Sequence, residues 1–404
     1  MFCTESLSPT EHDLGWLIEP ISVETFLMDY WDRAPLIVSR DQPDYYSGLF
    51  SLNSVDELVG LHSFQPGGIR YLPCERAVDP IPFSLSEDGF ADSADVYKKY
   101  HQGASLFFHG IHKYRKPIAQ LCRSLTRFFR MPSGATAVVS PPGIHSSPTH
   151  FDLTNNFLIQ VEGSKRYRIY ESFEALPIAR QEKPHLVSPD LLGDPLYDIE
   201  LRSGDVLFIP RGFVHEGFAS DQGSVHVTAG LNCLTWADLL IETVEALSQR
   251  QLPLRRALSP VILDSGDPTA SDQEEYTAML RLVLDEANLG EAVGGLTDRL
   301  LDRMRPLPSN HFEHLNKVDK IQLDTVMYKR NGSYCRLVDD GDSASIQFPG
   351  NIVKGPTSIG PALAYIASSI EFTVNSVPGL TDTGKLILVR RLVKDGLLQF
   401  DTAN

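Results

Sequence analysis

In the segment PPGIHSSPTHFDLTNNFLIQVEGSKRYRIY, His150 and Asp152 stand two residues apart. On a strand, or at its immediate exit, residues at that spacing project to the same side, so an imidazole and a carboxylate can share one metal ion. His215 follows far downstream in SGDVLFIPRGFVHEG, where a Gly-Asp turn leads into an apolar strand and Pro210 and Gly212 shape its exit. Two imidazoles and one carboxylate make the facial set that suits a non-haem ferrous ion and leaves coordination positions open. The pattern alone is weak, because the chain holds 12 histidines and His145 and His226 are rival ligands. The bland reading is that His150 and His215 are barrel-mouth histidines paired with carboxylates.

The context gives the trio its weight. Between Ala135 and Leu234 the runs ATAVVS, NNFLIQVEG, KRYRIYES, DIELRSG, DVLFIPRG and SVHVTAGLN are short and β-rich, separated by Gly, Pro, Ser and Asp turns. That rhythm predicts a β-barrel or double-sheet jelly roll, a closed architecture that gathers ligands from separate strands around a central site. Lys165 lies beyond the expected strand NNFLIQV and turn EGS, so an antiparallel return would carry its ammonium back over the same interior. A buried cation there needs an anionic partner, which a dicarboxylate can supply; a surface lysine fits the spacing equally well.

Upstream, Gly103 to Phe129 reads as a strand and then a helix with Pro117 near its start, and Ile21 to Leu61 reads as a flank of helices around the strand APLIVSR. Downstream, TWADLLIETVEALSQR places Leu239, Leu240, Val244 and Leu247 on one helical stripe, and EEYTAMLRLVLDEANL and GGLTDRLLDRMR predict two more amphipathic helices. From about Lys320, the strands SYCRLVD and SASIQFPG, two helices and a final LLQF suggest a winged-helix module.

The whole chain is 404 residues, 42% apolar, with 36 Lys+Arg against 52 Asp+Glu for a net charge of -16. That balance describes a globular chain with a sizeable core, repels a nucleic-acid backbone and accommodates a basic protein or peptide. No run reaches the roughly 20 apolar residues of a membrane span, and MFCTESLSPTEHDLGW has no leader-like pattern, so the expected compartment is the cytoplasm. The 5 scattered cysteines form no C-x-x-C and read as reduced packing residues.

Taken together, His150-Phe-Asp152, Asn156, EGSKRYRIY with Lys165, and GDVLFIPRGFVHEG with His215 resemble the JmjC oxygenases, and most nearly their cupin-like ribosomal oxygenase branch. The asparaginyl hydroxylases of the hypoxia response have a similar spacing. The motifs span roughly Gly103 to Asn232, and the start ISVETFLMDYWDRAPLIVSR is similar to that branch's N-terminal region.

The resemblance implies a mainly β catalytic core, a JmjC double-stranded β-helix or cupin jelly roll with its N-terminal flank, over residues 1–236. It further implies an α-helical dimerisation region over 237–319 and a C-terminal winged helix over 320–404, making an α+β chain. The implied activity is that of an Fe(II)- and 2-oxoglutarate-dependent dioxygenase using O2. His150, Asp152 and His215 would hold iron, Lys165 would pair with the distal carboxylate of 2-oxoglutarate, and Asn156 would help to orient it. Ser147 and Thr228 are further candidates for hydroxyl contacts to the cosubstrate, and Tyr97 or Tyr100 for a phenol contact.

The implied reaction is hydroxylation of an amino-acid side chain in a protein or peptide, with a basic ribosomal protein as first expectation. A tailoring hydroxylase for a natural-product precursor peptide, an N-methyl demethylase and a non-catalytic cupin binding module remain alternatives. The helix with Lys385, Arg390, Arg391 and Lys394 has too small a basic excess to predict nucleic-acid binding, and Tyr30, Trp31, Tyr45, Tyr46 and Phe50 read as packing aromatics rather than a methyl-lysine cage.

Overall fold

The structure, a computed structural model, describes residues 12–65, 67–73, 80–178, 180, 186–265, 269–304, 309–330 and 333–402. Cys3, Cys74 and most of the N-terminal stretch lie outside these residues; Cys122, Cys233 and Cys335 form no disulfide among the described residues. The chain forms two compact units, residues 1–233 and 234–404. Among the described residues no helix is long and apolar enough to cross a membrane.

The first unit opens with short helices α1 (Leu14–Ile18) and α2 (Val23–Thr25), strand β1 (Leu36–Val38) and helix α3 (Leu52–Leu61). Strands β2 (Ile69–Leu72) and β3 (Ile81–Pro82), helix α4 (Ser93–His101), strand β4 (Ser105–His109) and helix α5 (Lys116–Phe129) follow. Pro117 sits in the first turn of α5, where its missing N–H costs nothing, and Ile118, Leu121, Cys122 and Leu125 form the buried face. The strands β5 (Ser133–Ser140), β6 (His145–His150), β7 (Asn155–Ser172), β8 (Tyr197–Arg202), β9 (Val206–Ile209) and β10 (Phe213–Leu231) complete a jelly roll.

Two long strands carry this architecture. NNFLIQVEG and KRYRIYES, expected as two strands around a turn, are one continuous strand, β7, paired antiparallel along most of its length with β10. The first half of β7 lies between β9 and the second half of β10, which continues to β5 and β4; its second half lies between β8 and the first half of β10, which continues to β6. The β7–β10 ribbon therefore bends from one sheet into the other. At the bend Gly163 has φ +66°, and a Cβ there would stand 2.2 Å from the Gly223 carbonyl oxygen, so only glycine lets the two backbones approach.

Alternation then sorts the side chains. Phe157, Ile159, Val225, Val227, Ala229, Ala135 and Ala137 join the core packed against the N-terminal flank and α5. Their neighbours Asn156, Leu158, His226, Thr228, Thr136 and Val138 face an internal cavity instead. Tyr46 and Phe50 are buried in the core, with Tyr30, Trp31 and Tyr45 packed against it, in line with the packing role read from sequence.

The second unit holds helices α6 (Trp236–Arg250), α7 (Pro260–Ser265), α8 (Ala270–Glu286), α9 (Leu289–Arg303) and α10 (His311–Lys317). It continues with strands β11 (Val326–Lys329), β12 (Arg336–Asp339), β13 (Ser343–Phe348) and β14 (Asn351–Pro356), helix α11 (Gly360–Ser368), strand β15 (Glu371–Thr373), helix α12 (Asp382–Lys394) and strand β16 (Leu398–Phe400). These strands form two antiparallel sheets, ordered β15-β11-β16 and β12-β13-β14.

The expected apolar stripe of α6 divides: Leu247 is buried, whereas Leu240 and Val244 are exposed together with Trp236 and Ile241. The buried face of α6 is the one bearing Glu242, Thr243 and Leu247, and Arg299 of α9 pairs with Glu242 there. Three of the four cations of α12 are engaged within their own unit: Lys385 with the Asn375 carbonyl, Arg390 with the Ile321 carbonyl and Arg391 with Asp395.

Phe208 of β9 concentrates the packing of flank and barrel, its ring centroid 4.8 Å from Phe26 and 4.9 Å from Phe157. Truncating a fully buried ring loses its transfer energy and leaves a cavity, so Phe208→Ala is expected to cost about 3–5 kcal/mol. Urea unfolding followed by circular dichroism checks this.

Candidate functional site

His150, at the end of β6, pairs directly across the ladder with His215 near the start of β10. Their ring centroids are 4.3 Å apart. Asp152 lies just beyond β6, its Oδ1 4.0 Å from His150 Nε2 and its Oδ2 3.6 Å from His215 Nε2. The three are the one group of metal-ligating side chains among the described residues whose donor atoms converge, all within 4.8 Å.

The backbone sets the tautomers. His150 Nδ1 lies 2.7 Å from the Pro148 carbonyl and His215 Nδ1 3.2 Å from the Phe213 carbonyl. A carbonyl can only accept, so each Nδ1 carries the proton and each Nε2 presents a lone pair toward Asp152. Burial first, and the neighbouring His150 next, lower the pKa of His215, which favours the neutral form that a metal requires. The donor set, two oriented imidazoles and one carboxylate, fits a divalent first-row metal.

All seven residues singled out in the sequence, His150, Asp152, His215, Lys165, Asn156, Ser147 and Thr228, line one cavity of about 580 Å³. Tyr97 and Tyr100 do not line it: Tyr97 is exposed and donates to Asp56, and Tyr100 packs against the core. Of the rival ligands, His145 is outside the cavity, facing Glu216 and stacked on Phe218, because it lies on the other side of β6. His226 lines the cavity but stands outside the converging trio.

Lys165 is 1% exposed, and burial pushes its ammonium down from an ordinary 10.5 to about 7. It reaches the interior from the second half of β7 rather than across a hairpin, since β7 runs on through the expected turn. No carboxylate pairs with it among the described residues, and its Nζ lies 5.2 Å from the Tyr167 ring centroid. Beside it on the cavity wall, the Tyr167 hydroxyl and His226 Nδ1 are buried without hydrogen-bond partners among the described residues. Orphaned donors around a buried amine are a receptor for an anion, and a carboxylate brought in by a ligand satisfies them together. Gly217 makes room for this arrangement: a Cβ at that position would stand 2.4 Å from Lys165 Cε.

Asn156, expected to orient a cosubstrate, donates from Nδ2 to Asp152 Oδ2 at 2.6 Å, while its Oδ1 accepts from the Thr154 hydroxyl at 2.9 Å. In this state it orients the Asp152 carboxylate. Tyr167, His109, His112 and Thr136 also line the cavity and were not singled out. Strand alternation carried the signal for two of them, since Tyr167 follows Lys165 by two and His109 follows the cavity-lining Phe107 by two.

Comparison with known proteins gives the following likenesses. Residues 109–239 match the JmjC domain family. A bifunctional lysine-specific demethylase and histidyl-hydroxylase NO66 from Drosophila persimilis is 29% identical over 309 residues, 74% of this chain and 44% of its own. Ribosomal oxygenase 2 from Rattus norvegicus is 28% identical over 282 residues, 67% of this chain and 59% of its own. The chain spans about half the length of the curated relatives it matches. Among solved structures, YcfD, a ribosomal oxygenase from Escherichia coli in complex with cobalt and 2-oxoglutarate, is similar with a TM-score of 0.56 at 20% identity, covering 95% of this chain and 99% of that one. That likeness establishes the fold.

The buried amine gives a test with a definite sign. Its pKa is lower folded than unfolded, so between about pH 7 and 10.5 the unfolded chain binds the extra proton and stability rises with pH. Lys165→Met is expected to flatten that rise and, by removing an unpaired buried charge, to stabilise the ligand-free protein by about 1–4 kcal/mol. Thermal unfolding at several pH values measures both effects.

Proposed function

We infer that this chain, which carries a JmjC domain across residues 109–239, is an Fe(II)- and 2-oxoglutarate-dependent oxygenase that hydroxylates an amino-acid side chain in a protein or peptide. The observation that carries the reading is the single cavity with the His150, Asp152 and His215 donors and the unpaired, buried Lys165 on its walls. A dicarboxylate has the two charged ends that such a cavity asks for. When bound, the ferrous ion and 2-oxoglutarate together supply the oxidising power that puts one atom of O2 into a substrate C–H bond, the keto acid leaving as succinate and carbon dioxide.

The protein's own residues bind and orient. His150 and His215 present Nε2 lone pairs, and Asn156 holds the Asp152 carboxylate by its Oδ2. Lys165 Nζ takes up a full proton as the distal carboxylate arrives, because the new charge reverses the desolvation that lowers its pKa. The Tyr167 hydroxyl completes that contact, with Ser147 and Thr228 beside it on the wall. Apolar side chains such as Leu158 and Val138 exclude water and restrict where a substrate can lie.

A ribosomal-protein substrate is favoured by the names of the relatives and by charge, since a chain of net charge -16 attracts basic partners. The name of the Drosophila relative also includes lysine demethylation, which uses the same donors; a lost methyl group in the product distinguishes it from a gained oxygen. We read 237–319 as the surface that pairs with a second copy and 320–404 as a winged helix that docks substrate or aids assembly. The stripes Trp236, Leu240 and Val244 on α6 and Tyr276, Leu280 and Leu284 on α8 are exposed apolar ridges at helical spacing, which supports the pairing. Cys122, Cys233 and Cys335, which form no disulfide among the described residues, suit the cytoplasm as its compartment.

Two outcomes follow. Incubation with Fe(II), 2-oxoglutarate and ribosomal-protein peptides is expected to add the mass of one oxygen to a peptide and to form succinate, with His150→Ala reducing both at least about 100-fold; wild-type protein that makes no succinate contradicts the reading. Light scattering is expected to give a dimer for the wild type and a monomer for a Leu280→Glu, Leu284→Glu double variant, because a buried unpaired charge opposes association.

A further inference from the structure

The two segments that bring the metal donors together are both tied to one carboxylate in the N-terminal flank. Asp32 follows Trp31, whose indole stacks on Phe129 at 4.3 Å and lies 5.9 Å from Phe208, so the flank is fixed against α5 and β9. Its backbone has φ +56°, a left-handed conformation that aspartate tolerates better than most residues. From there Asp32 Oδ1 accepts from Asn155 Nδ2 at 2.9 Å and from Arg211 Nη1 at 2.6 Å. The Arg211 backbone N–H donates to Asn155 Oδ1 at 2.9 Å, closing a ring of three residues.

Each partner in that ring adjoins a ligand. Arg211 precedes Gly212, whose N–H donates to the Asp152 carbonyl at 3.0 Å, and the same turn leads into His215. Asn155 precedes Asn156, which donates to the Asp152 carboxylate. Arg211 is 6% exposed, Asp32 is its one carboxylate partner among the described residues, and its Nε has no hydrogen-bond partner. Removal of Asp32 leaves the Arg211 guanidinium without its carboxylate partner and frees the turn from the flank, so that the Asp152 and His215 segments lose a shared anchor.

We propose that Asp32 is a positioning residue for the metal centre, holding the Asp152 and His215 segments in register through Arg211 and Asn155 without touching the metal. This rests on the reading of His150, Asp152 and His215 as metal ligands. Asp32 therefore acts on affinity and ligand geometry, and its effect is visible before any turnover.

Anaerobic titration of the full chain with Co(II), read by its visible ligand-field bands, tests the proposal. Asp32→Ala is expected to weaken Co(II) binding by about 10–100-fold and to shift the bands, while Asp32→Asn, which keeps the accepting oxygen, recovers most of the loss. Wild-type affinity and bands in folded Asp32→Ala, with only a lowered unfolding temperature, would overturn it, because that is what a purely structural role gives. If Asp32→Ala does not fold, Asn155→Ser breaks the same ring from its other side and carries the same expectation and the same overturning result. His215→Ala is the control: unchanged Co(II) binding there sinks the metal-ligand reading itself, whereas binding lost in His215→Ala but unchanged in Asp32→Ala sinks the positioning role alone.

Discussion

The site depends on one pairing in a β-ladder, His150 of β6 opposite His215 of β10. Directly opposed residues on antiparallel strands stand close enough to share an ion, so the register itself positions two of the three donors. A slip of one residue would turn His215 to the outer face, where Glu216 now engages His145, Thr149 and Tyr170. That outer network holds β6 and β7 to β10 from behind, while the inner face stays open for chemistry. The ladder is thus stitched by polar groups on the side away from the cavity, and the two donors inherit its rigidity.

A second constraint comes from charge. A folded protein gains nothing from an amine buried without a carboxylate, and Lys165 pairs with none among the described residues; it is accommodated because Gly217 leaves space for it. The arrangement makes physical sense for a protein whose complete form includes an anion. The ligand-free state is kept less stable than a hydrophobic substitute would make it, and the difference is returned when the anion binds. The unpartnered Tyr167 hydroxyl and His226 Nδ1 extend the same logic along the cavity wall.

Much of this was legible in the sequence. The jelly roll followed from short β-rich runs with turn residues between them, and the trio from its placement at strand ends within those runs. The continuity of β7 was not legible, because EGS reads as a turn by composition while the bend depends on Gly163 meeting Gly223 in space. Asn156 was placed in the cavity but not as the partner of Asp152, since a hydrogen bond between side chains has no signature at that spacing. Which part of the α6 stripe is buried was not legible either: Glu242, paired with Arg299 of α9, lies on the buried face with Leu247, while Leu240 and Val244 are exposed. Asp32 gave no signal at all, being one acidic residue in a flank whose partners lie more than a hundred positions away.

The central claim is that one cavity recognises both ends of a 2-oxo dicarboxylate, metal donors at one and Lys165 at the other. The most direct measurement is an anaerobic titration of the Fe(II)-loaded protein with 2-oxoglutarate and, separately, with pyruvate, which keeps the chelating keto acid but lacks the distal carboxylate. The account expects the visible metal-to-ligand charge-transfer band to saturate with 2-oxoglutarate at concentrations at least about 100-fold lower than with pyruvate, the worth of a buried charged pair. Equal affinities for the two acids, or no band with either, would contradict it.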